Sequence, residues 1–508
     1  MLVLTQPRGS SLGRLAEVSE ERFGADSTLL FEGRELTTAQ LGERGRRFAA
    51  GLASLGVGPG DRVALCMANC PEVLETYRAI WRLGAVMTPL MFLLSADEIR
   101  HAVSDSGAKV LVTTPDQLDK VAIATDGLDV RLVVVGDVDR PGVTSYADLA
   151  SGEEAPLADV DAADMAALLY TGGTTGRSKG VVLSHDALSS AAWNTVNTGL
   201  TSGLTVSLLP LPMAHVFGMM VSASALHAVQ PQRTVLMRWF DAAEWVRLAE
   251  AEKVQSGAVV PTMLRLLLSQ PLEEHDLSPL RRLGSGSAPL PPEVREEWAR
   301  RVPHVEVVEG YGASETAAMA TTTYPGRVRP GSVGEASSEV EIRIERLDGS
   351  GEAGPDEDGE VLVRHPGLMT GYWQDPEATA AAMTDGFFRT GDVGHLDADG
   401  FLFLVDRLKD VVIRSGFNVY PSDVEEALEK HPAVAVAAVV GRPDEAHGEE
   451  VVAFVQPRPD ATVTPEELIA FGREHLSRAK YPREVHLVDA VPLTSIGKLD
   501  RKALRARL

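Results

Sequence analysis

The spacing of apolar residues alternates, over the first part of the chain, between a helical period and short unbroken runs. Leu41 and Phe48 recur at helical spacing and predict a helix over 39–55, and a second helix is predicted over 71–83. Apolar runs such as Val110-Leu-Val-Thr predict buried strands. Helices that alternate with buried strands are typical of α/β domains with largely parallel sheets. Further strands are predicted over 61–66, 131–135, 165–170, 181–183, 206–209, 258–261 and 305–308.

The pattern changes after about residue 331. Short strand patterns over 334–344, 359–364 and 400–405 are separated by glycine and acidic turns, which predicts a small β-rich unit. Nearer the C-terminus, a helix is predicted over 421–429, and the capping box at Thr464-Pro-Glu-Glu predicts the start of another. Strand patterns over 434–440 and 451–455 lie between these helices, so this last part combines both kinds of element.

The length of 508 residues is too great for one hydrophobic core, and two or more domains are expected. We predict an α/β fold with a large N-terminal domain over residues 1–408. Two α/β subdomains and the small β-rich subdomain make up that domain. A small α+β C-terminal domain is predicted over residues 409–508.

Composition and charge narrow the classes of function. A formal net charge of −24 argues against a nucleic-acid surface or an anionic membrane as the partner. No apolar run approaches the roughly 20 residues of a membrane span, and the N-terminus lacks the pattern of a signal peptide. The two cysteines, Cys66 and Cys70, are best interpreted as buried thiols in a reducing compartment. We therefore expect a cytoplasmic protein, either monomeric or dimeric.

A short loop rich in glycine and hydroxyl groups, Tyr170-Thr-Gly-Gly-Thr-Thr-Gly-Arg-Ser-Lys-Gly180, joins two predicted strands. Glycines leave backbone N–H groups open to a phosphate, threonine hydroxyls add donors, and lysine adds a positive charge. The competing interpretation is a flexible glycine turn. The predicted phosphate-binding residues are Thr171, Gly172, Gly173, Thr174, Thr175, Gly176 and Lys179.

Later segments contain further chemically suggestive residues. Glu315, just past a strand end, suits a Mg²⁺ ion bridging to phosphate, although a glutamate there also suits a solvated helix start. Asp392, in a predicted turn with a glycine on either side, could bind both hydroxyls of a ribose or cap its own turn. The charged stretch from Asp406 to Asp410 suits an interdomain hinge. Lys498, taken alone, is compatible with an ordinary surface lysine.

These segments together resemble the adenylate-forming superfamily of acyl-CoA synthetases, carrier-domain adenylation modules and luciferases. The resemblance extends from about Ser11 to Leu508. It rests on the glycine loop and on four later motifs in the matching order, at 311–316, 389–392, 406–421 and 496–501. The resemblance implies ATP, Mg²⁺ and coenzyme A as reaction partners, and a C-terminal domain that moves during the reaction.

The resemblance also implies roles for individual residues. Lys498 would contact the acyl carboxylate and the α-phosphate, Lys409 would be the hinge, and Glu315 would hold Mg²⁺. His215 would gate the acyl pocket, and Gly416 would line the passage for the pantetheine arm. The implied adenine and ribose site comprises Gly286, Ser287, Ala288, Glu309, Gly310, Tyr311, Gly312, Ser314, Asp392 and Arg407.

The loop departs from the family pattern at two positions, because the family usually has Ser at position 172 and Pro at position 178. Here Gly172 lacks one hydroxyl that could reach phosphate, which would modestly weaken ATP binding, while its backbone amide is kept. A homologue that binds nucleotide or acyl-adenylate, or performs only the thioester half-reaction, therefore stays open as an alternative to a complete ligase.

The expected reaction joins a small carboxylic acid to a thiol by way of an acyl-adenylate. The segment around His215 has no acidic residue to hold an α-ammonium, so an α-amino acid is not expected. An apolar acid is predicted, either a medium- or long-chain fatty acid or a bulky biosynthetic acid. Coenzyme A is the expected acceptor and an acyl carrier protein is the alternative. The predicted apolar walls are Met213, Val216, Val259, Met263 and Met319.

Overall fold

The computed structural model describes residues 9–171, 178–459, 461–493 and 499–508, whose strands form four sheets. The first sheet has a parallel centre, and its antiparallel edge is made by the strands on both sides of the glycine loop. Its strands lie side by side in the order Gly371–Tyr372, Lys179–Ser184, Met165–Thr171, Val86–Pro89, Arg62–Cys66, Val110–Thr113, Arg131–Val134 and Val143–Ser145.

The second sheet is also parallel at its centre and antiparallel at both edges. An early strand of the chain, Thr28–Phe31, pairs in parallel with a strand some two hundred positions later, Arg233–Leu236. The full order is Glu335–Ala336, Thr321–Thr322, Glu306–Tyr311, Arg282–Ser285, Ser256–Val259, Val206–Leu209, Arg233–Leu236, Thr28–Phe31 and Arg34–Thr37.

Helices cover the two α/β sheets, and apolar side chains fill the space between them. One core cluster extends from the first sheet, through helix His185–Asn197, to the near face of the second sheet. The far face of the second sheet packs on a separate cluster that contains Trp245 and Trp298. The helices here are Leu12–Phe23, Thr38–Ser54, Pro71–Arg82, Ala96–Ser106, Pro115–Thr125, Tyr146–Leu149, His185–Asn197, Val216–Ser224, Ala242–Ala251, Pro261–Leu268 and Pro292–Arg301, with 3₁₀ turns at Ala225–His227, Leu272–Glu274 and Ser314–Thr316.

The last two sheets form the β-rich subdomain and the C-terminal domain. The first of them is antiparallel throughout and contains Glu341–Arg346, Gly359–Arg364, Met383–Thr384, Phe387–Leu396 and Leu402–Arg407, beside helix Pro376–Ala382. After the 3₁₀ turn Leu408–Asp410, the C-terminal sheet contains Val412–Arg414, Phe417–Val419, Val434–Asp444, Gly448–Pro457 and Glu484–Leu487, with helices Pro421–Glu429, Pro465–His475 and Arg501–Arg505.

This architecture confirms the predicted fold class. Two local predictions needed correction. The strand predicted over residues 258–261 ends earlier, at Val259. Pro261 instead begins a helix, a position that suits a residue without a backbone N–H. The pattern over 334–344 is split, because Glu335–Ala336 joins the second sheet and Glu341–Arg346 the β-rich sheet. None of the described helices has the length and apolar character needed to cross a bilayer.

Candidate active site

A large cleft of about 2580 Å³ lies at the carboxyl ends of the second sheet's parallel strands. Ligands of open α/β folds bind at this edge of the sheet. The first sheet, the β-rich subdomain and the C-terminal domain each contribute to its walls. The predicted adenine and ribose residues that line it are Gly286, Ser287, Ala288, Glu309, Gly310, Tyr311, Gly312, Ser314, Asp392 and Arg407.

A buried carboxylate, Asp392, is held by one residue from each of two sheets. The Tyr311 hydroxyl donates to Asp392 Oδ2 at 2.5 Å, and Arg407 Nε lies 2.7 Å from Oδ1. Arg407 is the direct cross-strand neighbour of Asp392, so strand pairing fixes their contact. Burial, and then the Asp392 charge, raise the pKa of Tyr311, so this phenol stays protonated and donates.

Glycines keep the slot beside Tyr311 narrow. A Cβ at Gly312 would lie 1.3 Å from the Ala318 carbonyl oxygen, and a Cβ at Gly310 would lie 3.0 Å from that of Thr321. A Cβ at Gly286, on the neighbouring strand end, would be 3.3 Å from the Gly310 carbonyl oxygen. A side chain at Gly312 would clash with the backbone, and one at Gly310 or Gly286 would make an unusually tight contact, so backbone atoms line this slot and leave room for a planar base.

Glu309 lies beneath this slot, with its carboxylate engaged inside the protein. Arg295 donates to Oε1 and the Leu290 backbone N–H donates to Oε2. The side chain is buried, and the Arg295 charge compensates it. Its role is therefore to fix the shape of the slot, and the prediction that it contacts the nucleotide directly remains untested. Sequence reasoning did not identify Arg295 as its partner.

Glu315, the predicted metal ligand, is linked to Lys179 through a residue that the sequence did not indicate. The Tyr372 hydroxyl donates to Glu315 Oε1 at 3.0 Å. Lys179 Nζ lies 5.0 Å from the centre of the Tyr372 ring and 3.7 Å from Asp375 Oδ2. Burial and the Glu315 charge raise the pKa of Tyr372. The strand pairing of Gly371–Tyr372 with Val181 and Val182 brings these groups together.

The described residues contain no group of three or more side chains able to hold a metal ion. Glu315 alone therefore fits a Mg²⁺ that arrives with phosphate oxygens and water, which is the usual way in which Mg²⁺ binds at nucleotide sites. A resident metal cage does not fit here. Glu315 and Lys179 both line the cleft.

Several predicted residues lie outside the described part of the chain: Gly172, Gly173, Thr174, Thr175, Gly176 and Lys498. Both ends of the glycine loop are described. Thr171 precedes it and Ser178 and Lys179 follow it, and all three line the cleft. Leu493 and Leu499, on either side of Lys498, pair with each other and line the cleft as well.

His101 touches both ends of the glycine loop, and sequence reasoning missed it. Its Nε2 lies 2.9 Å from the Ser178 carbonyl oxygen, so Nε2 carries the proton and donates. Its ring meets the Tyr170 ring edge-on at 5.9 Å. The Tyr170 hydroxyl in turn donates to Asp105, on the same helix as His101, at 2.6 Å. Helix Ala96–Ser106 therefore contacts the residues at both ends of the loop.

We expect His101→Ala to raise KM for ATP by about fivefold with a smaller change in kcat, because one neutral hydrogen bond is worth about 1 kcal/mol. His101→Gln, which keeps a donor, should recover most of the loss. His304→Ala is the matched control, since His304 Nε2 makes the same contact with a backbone carbonyl at 2.9 Å outside the cleft. Steady-state kinetics at varied ATP measure both constants. Equal effects of the two alanine variants would contradict this role.

The hinge candidate lies between the β-rich subdomain and the C-terminal domain. Lys409 is in the 3₁₀ turn Leu408–Asp410 and lines the cleft, and burial lowers its pKa. Gly416 has a φ of +80° in a hairpin away from the cleft lining, beside the exposed side chain of Phe417. Its predicted place on the pantetheine passage, which requires a rotated domain, stays a prediction, as does the boundary between residues 408 and 409.

The acyl-pocket predictions divide into two groups. Val216 and Met319 line the cleft, as does His215, which caps helix Val216–Ser224 by accepting from the Phe217 N–H at 3.3 Å. Met213 and Val259 are fully buried, each in a different core cluster. Met263 packs against both clusters. These three side chains therefore do not line the cleft. Apolar pattern alone cannot separate a core side chain from a pocket wall. Lining residues that the sequence did not reveal include Trp193, Val196, Phe217, Met220, Val221 and Ala225.

Comparison with known proteins gives two family matches and many full-length relatives. Residues 16–373 match the AMP-binding enzyme family, and residues 423–498 match the AMP-binding enzyme C-terminal domain. A feruloyl-CoA synthase from Amycolatopsis sp. is 37% identical over 482 residues, covering 94% of each chain. A fatty acid–[acyl-carrier-protein] ligase, ScoC from Streptomyces coeruleorubidus, is 34% identical over 99% of this chain and 98% of its own.

Solved structures agree over the same extent. The crystal structure of ATP-bound MatB from Rhodopseudomonas palustris superposes with a TM-score of 0.89 at 32% identity, covering 98% of this chain and 99% of that one.

Proposed function

The chain belongs to the family of AMP-binding enzymes, and we propose that it is an AMP-forming ligase that joins a carboxylic acid to coenzyme A. Its curated relatives are acyl-CoA and acyl-carrier-protein ligases. The observation that carries the proposal is the meeting of Tyr311, Asp392 and Arg407 beside the glycine-walled slot, at the same cleft as Glu315 and Lys179. A nucleoside triphosphate needs a flat slot for its base, hydrogen-bonding groups for its ribose and charged groups for its phosphates.

In the first half-reaction, the acid attacks the α-phosphorus of ATP and pyrophosphate leaves. Both reactants are anions, so positive charge must offset their repulsion. Lys179 and Lys498 supply it, and Mg²⁺ held by Glu315 would add to it when bound. Asp392 and Arg407 hold the ribose, which keeps the α-phosphorus fixed while the bond forms and breaks.

The product, an acyl-adenylate, is a mixed anhydride that water hydrolyses, so the cleft must exclude water. In the second half-reaction a thiolate attacks the acyl carbon and AMP leaves. A C-terminal domain that turns about Lys409 would remove Lys498 and bring Gly416 to the thiol passage. The 3₁₀ turn Leu408–Asp410 lies between the last strand of the β-rich sheet and the first strand of the C-terminal sheet, which supports this position for the rotation.

A panel of acids in ATP–pyrophosphate exchange tests the proposal. We expect exchange that depends on one class of acid, and release of AMP only when coenzyme A is added. No exchange with any acid, together with thioester formation from synthetic acyl-adenylates, would instead support a non-adenylating homologue, which the glycine at position 172 motivates. Replacing coenzyme A by an acyl carrier protein tests the other acceptor, which the similarity to ScoC motivates.

A further inference from the structure

A row of polar side chains crosses the second sheet where the cleft extends away from the nucleotide slot. Ser207 is the cross-strand neighbour of Thr234 on one side and of Ser256 on the other, and Ser256 is the neighbour of Arg282. All four residues line the cleft. The hydroxyl oxygens of Ser207 and Thr234 are 3.4 Å apart. Strand pairing therefore places these groups in one continuous row on one face.

Two residues nearer the nucleotide slot, the same face is apolar. Leu209, Ala258 and Gly284 each lie two positions after a residue of the polar row, namely Ser207, Ser256 and Arg282, and each lines the cleft. Side chains two positions apart in a strand share a face, so the apolar and polar rows are consecutive parts of one floor. At a rise of about 3.3 Å per residue, the polar row begins roughly 7 Å beyond the apolar one.

The facing wall presents mainly apolar side chains, and the hydroxyls of Thr195 and Ser224, which also line the cleft, donate to backbone carbonyls of their own helices. Trp193 comes from helix His185–Asn197, and Met220 and Val221 come from helix Val216–Ser224. An acyl group in this part of the cleft would thus meet apolar surface along its body. The polar row meets it at its far end.

Arg282 does not offer a free charge to the acyl group. Its Nε lies 3.0 Å from Glu306 Oε2, and its Nη1 donates to the Leu200 backbone carbonyl. The charge of the guanidinium is therefore compensated by Glu306, and one of its N–H groups is engaged by Leu200, which also lines the cleft. The groups that remain to meet a ligand are hydroxyls, which suit a neutral partner rather than a second carboxylate.

We propose that the acid carries a neutral hydrogen-bonding group, such as a hydroxyl, at the end remote from its carboxylate, and that Ser207, Thr234 and Ser256 select it. This inference rests on the ligase function proposed above and narrows its substrate class. A terminal methyl would offer the row no hydrogen bond and would leave Ser207 and Thr234 with their long contact to each other, whereas a hydroxyl can bond to them directly. Sites built to bond a hydroxyl reject analogues that lack one. Hydroxylated aromatic acids and ω-hydroxy acids satisfy this description, whereas unbranched fatty acids do not.

Matched pairs of acids test the inference in the intact enzyme. The pairs are 4-hydroxycinnamic against 4-methylcinnamic acid, and 8-hydroxyoctanoic against nonanoic acid, so that each pair exchanges only hydroxyl for methyl. We expect kcat/KM in pyrophosphate exchange to favour the hydroxyl member of the better-used pair by at least about tenfold. Equal or better use of the methyl members by the unmodified enzyme overturns the inference while leaving the ligase function intact. Absence of exchange with every acid overturns both.

Variants of the polar row test whether its hydroxyls cause the preference for the hydroxyl-bearing acid. Ser207→Ala combined with Thr234→Val should reduce the preference to less than about threefold, chiefly by improving the methyl acid, since two of the three hydroxyls of the row are then replaced by apolar groups. Ser256→Ala provides a second, independent variant of the same row. Ser222→Ala is the matched control, because the Ser222 hydroxyl donates to the Gly218 carbonyl at 3.0 Å and is not part of the cleft lining. An unchanged preference in folded row variants overturns the assignment.

Discussion

Replacing Lys498 by alanine is expected to slow acyl-adenylate formation by about 10²–10³-fold, the usual effect of removing one preorganised group that stabilises charge in the transition state. Thioester formation from a supplied acyl-adenylate and coenzyme A should stay close to the rate of the unmodified enzyme. The two half-reactions thus separate a role in adenylation from a general loss of structure.

The surroundings of Lys498 favour this expectation. Leu493 and Leu499, on either side, line the cleft. The next residues are held firmly: Asp500 caps helix Arg501–Arg505, and Arg501 donates to both carboxylate oxygens of Glu425 at 2.7 and 2.8 Å. The residues that follow Lys498 are therefore held in place by contacts within the C-terminal domain.

Pyrophosphate exchange with the preferred acid measures the first step, and AMP release from synthetic acyl-adenylate measures the second. Lys430→Ala is a suitable control, because Lys430 belongs to the same domain and pairs with Glu426 on an exposed surface. If Lys498→Ala kept nearly normal exchange, another residue would have to neutralise the reacting anions. A parallel loss in both half-reactions would indicate damage to the domain instead.

The sequence predicted elements whose signals are local. The helix over 421–429 was predicted with its observed bounds, because proline marks its first turn. The capping box at Thr464 and Glu467 likewise begins helix Pro465–His475. The strands on both sides of the glycine loop were predicted with slightly narrower limits than observed. Hydrophobic period and capping chemistry suffice for such features, since both act over a few residues.

Features that depend on pairing between distant segments were not predictable in the same way. Gly371–Tyr372 is only two residues long, yet its pairing brings Tyr372 between Glu315 and Lys179. Asp392 illustrates the same limit: flanking glycines indicated a turn, but the residue lies within strand Phe387–Leu396. Its partner Arg407 follows from strand pairing within the β-rich sheet, and its partner Tyr311 follows from the meeting of that sheet with the second sheet. No local pattern encodes either contact.

Asp392→Asn is expected to lower kcat/KM for ATP by about 10²-fold, because hydrogen bonds to a charged group are worth about 1.5–3 kcal/mol each. Tyr311 contacts one oxygen of the buried Asp392 carboxylate and Arg407 contacts the other. Each oxygen therefore keeps a lone pair that can accept a hydrogen bond from a ribose hydroxyl. Asparagine keeps an acceptor for Tyr311 but loses the charge and one acceptor oxygen, so its side chain cannot replace the carboxylate.

Deoxynucleotides show whether this loss arises at the ribose. The unmodified enzyme should use 3′-deoxy-ATP much less efficiently than ATP, whereas Asp392→Asn should distinguish the two by less than about threefold, because the interaction is then already absent. Asp399→Asn, which alters an exposed partner of Arg329 in the same subdomain, should retain full discrimination. Additive losses, with the variant still rejecting 3′-deoxy-ATP as strongly as the unmodified enzyme, would mean that Asp392 acts by holding Tyr311 and Arg407 in place and that another group binds the ribose.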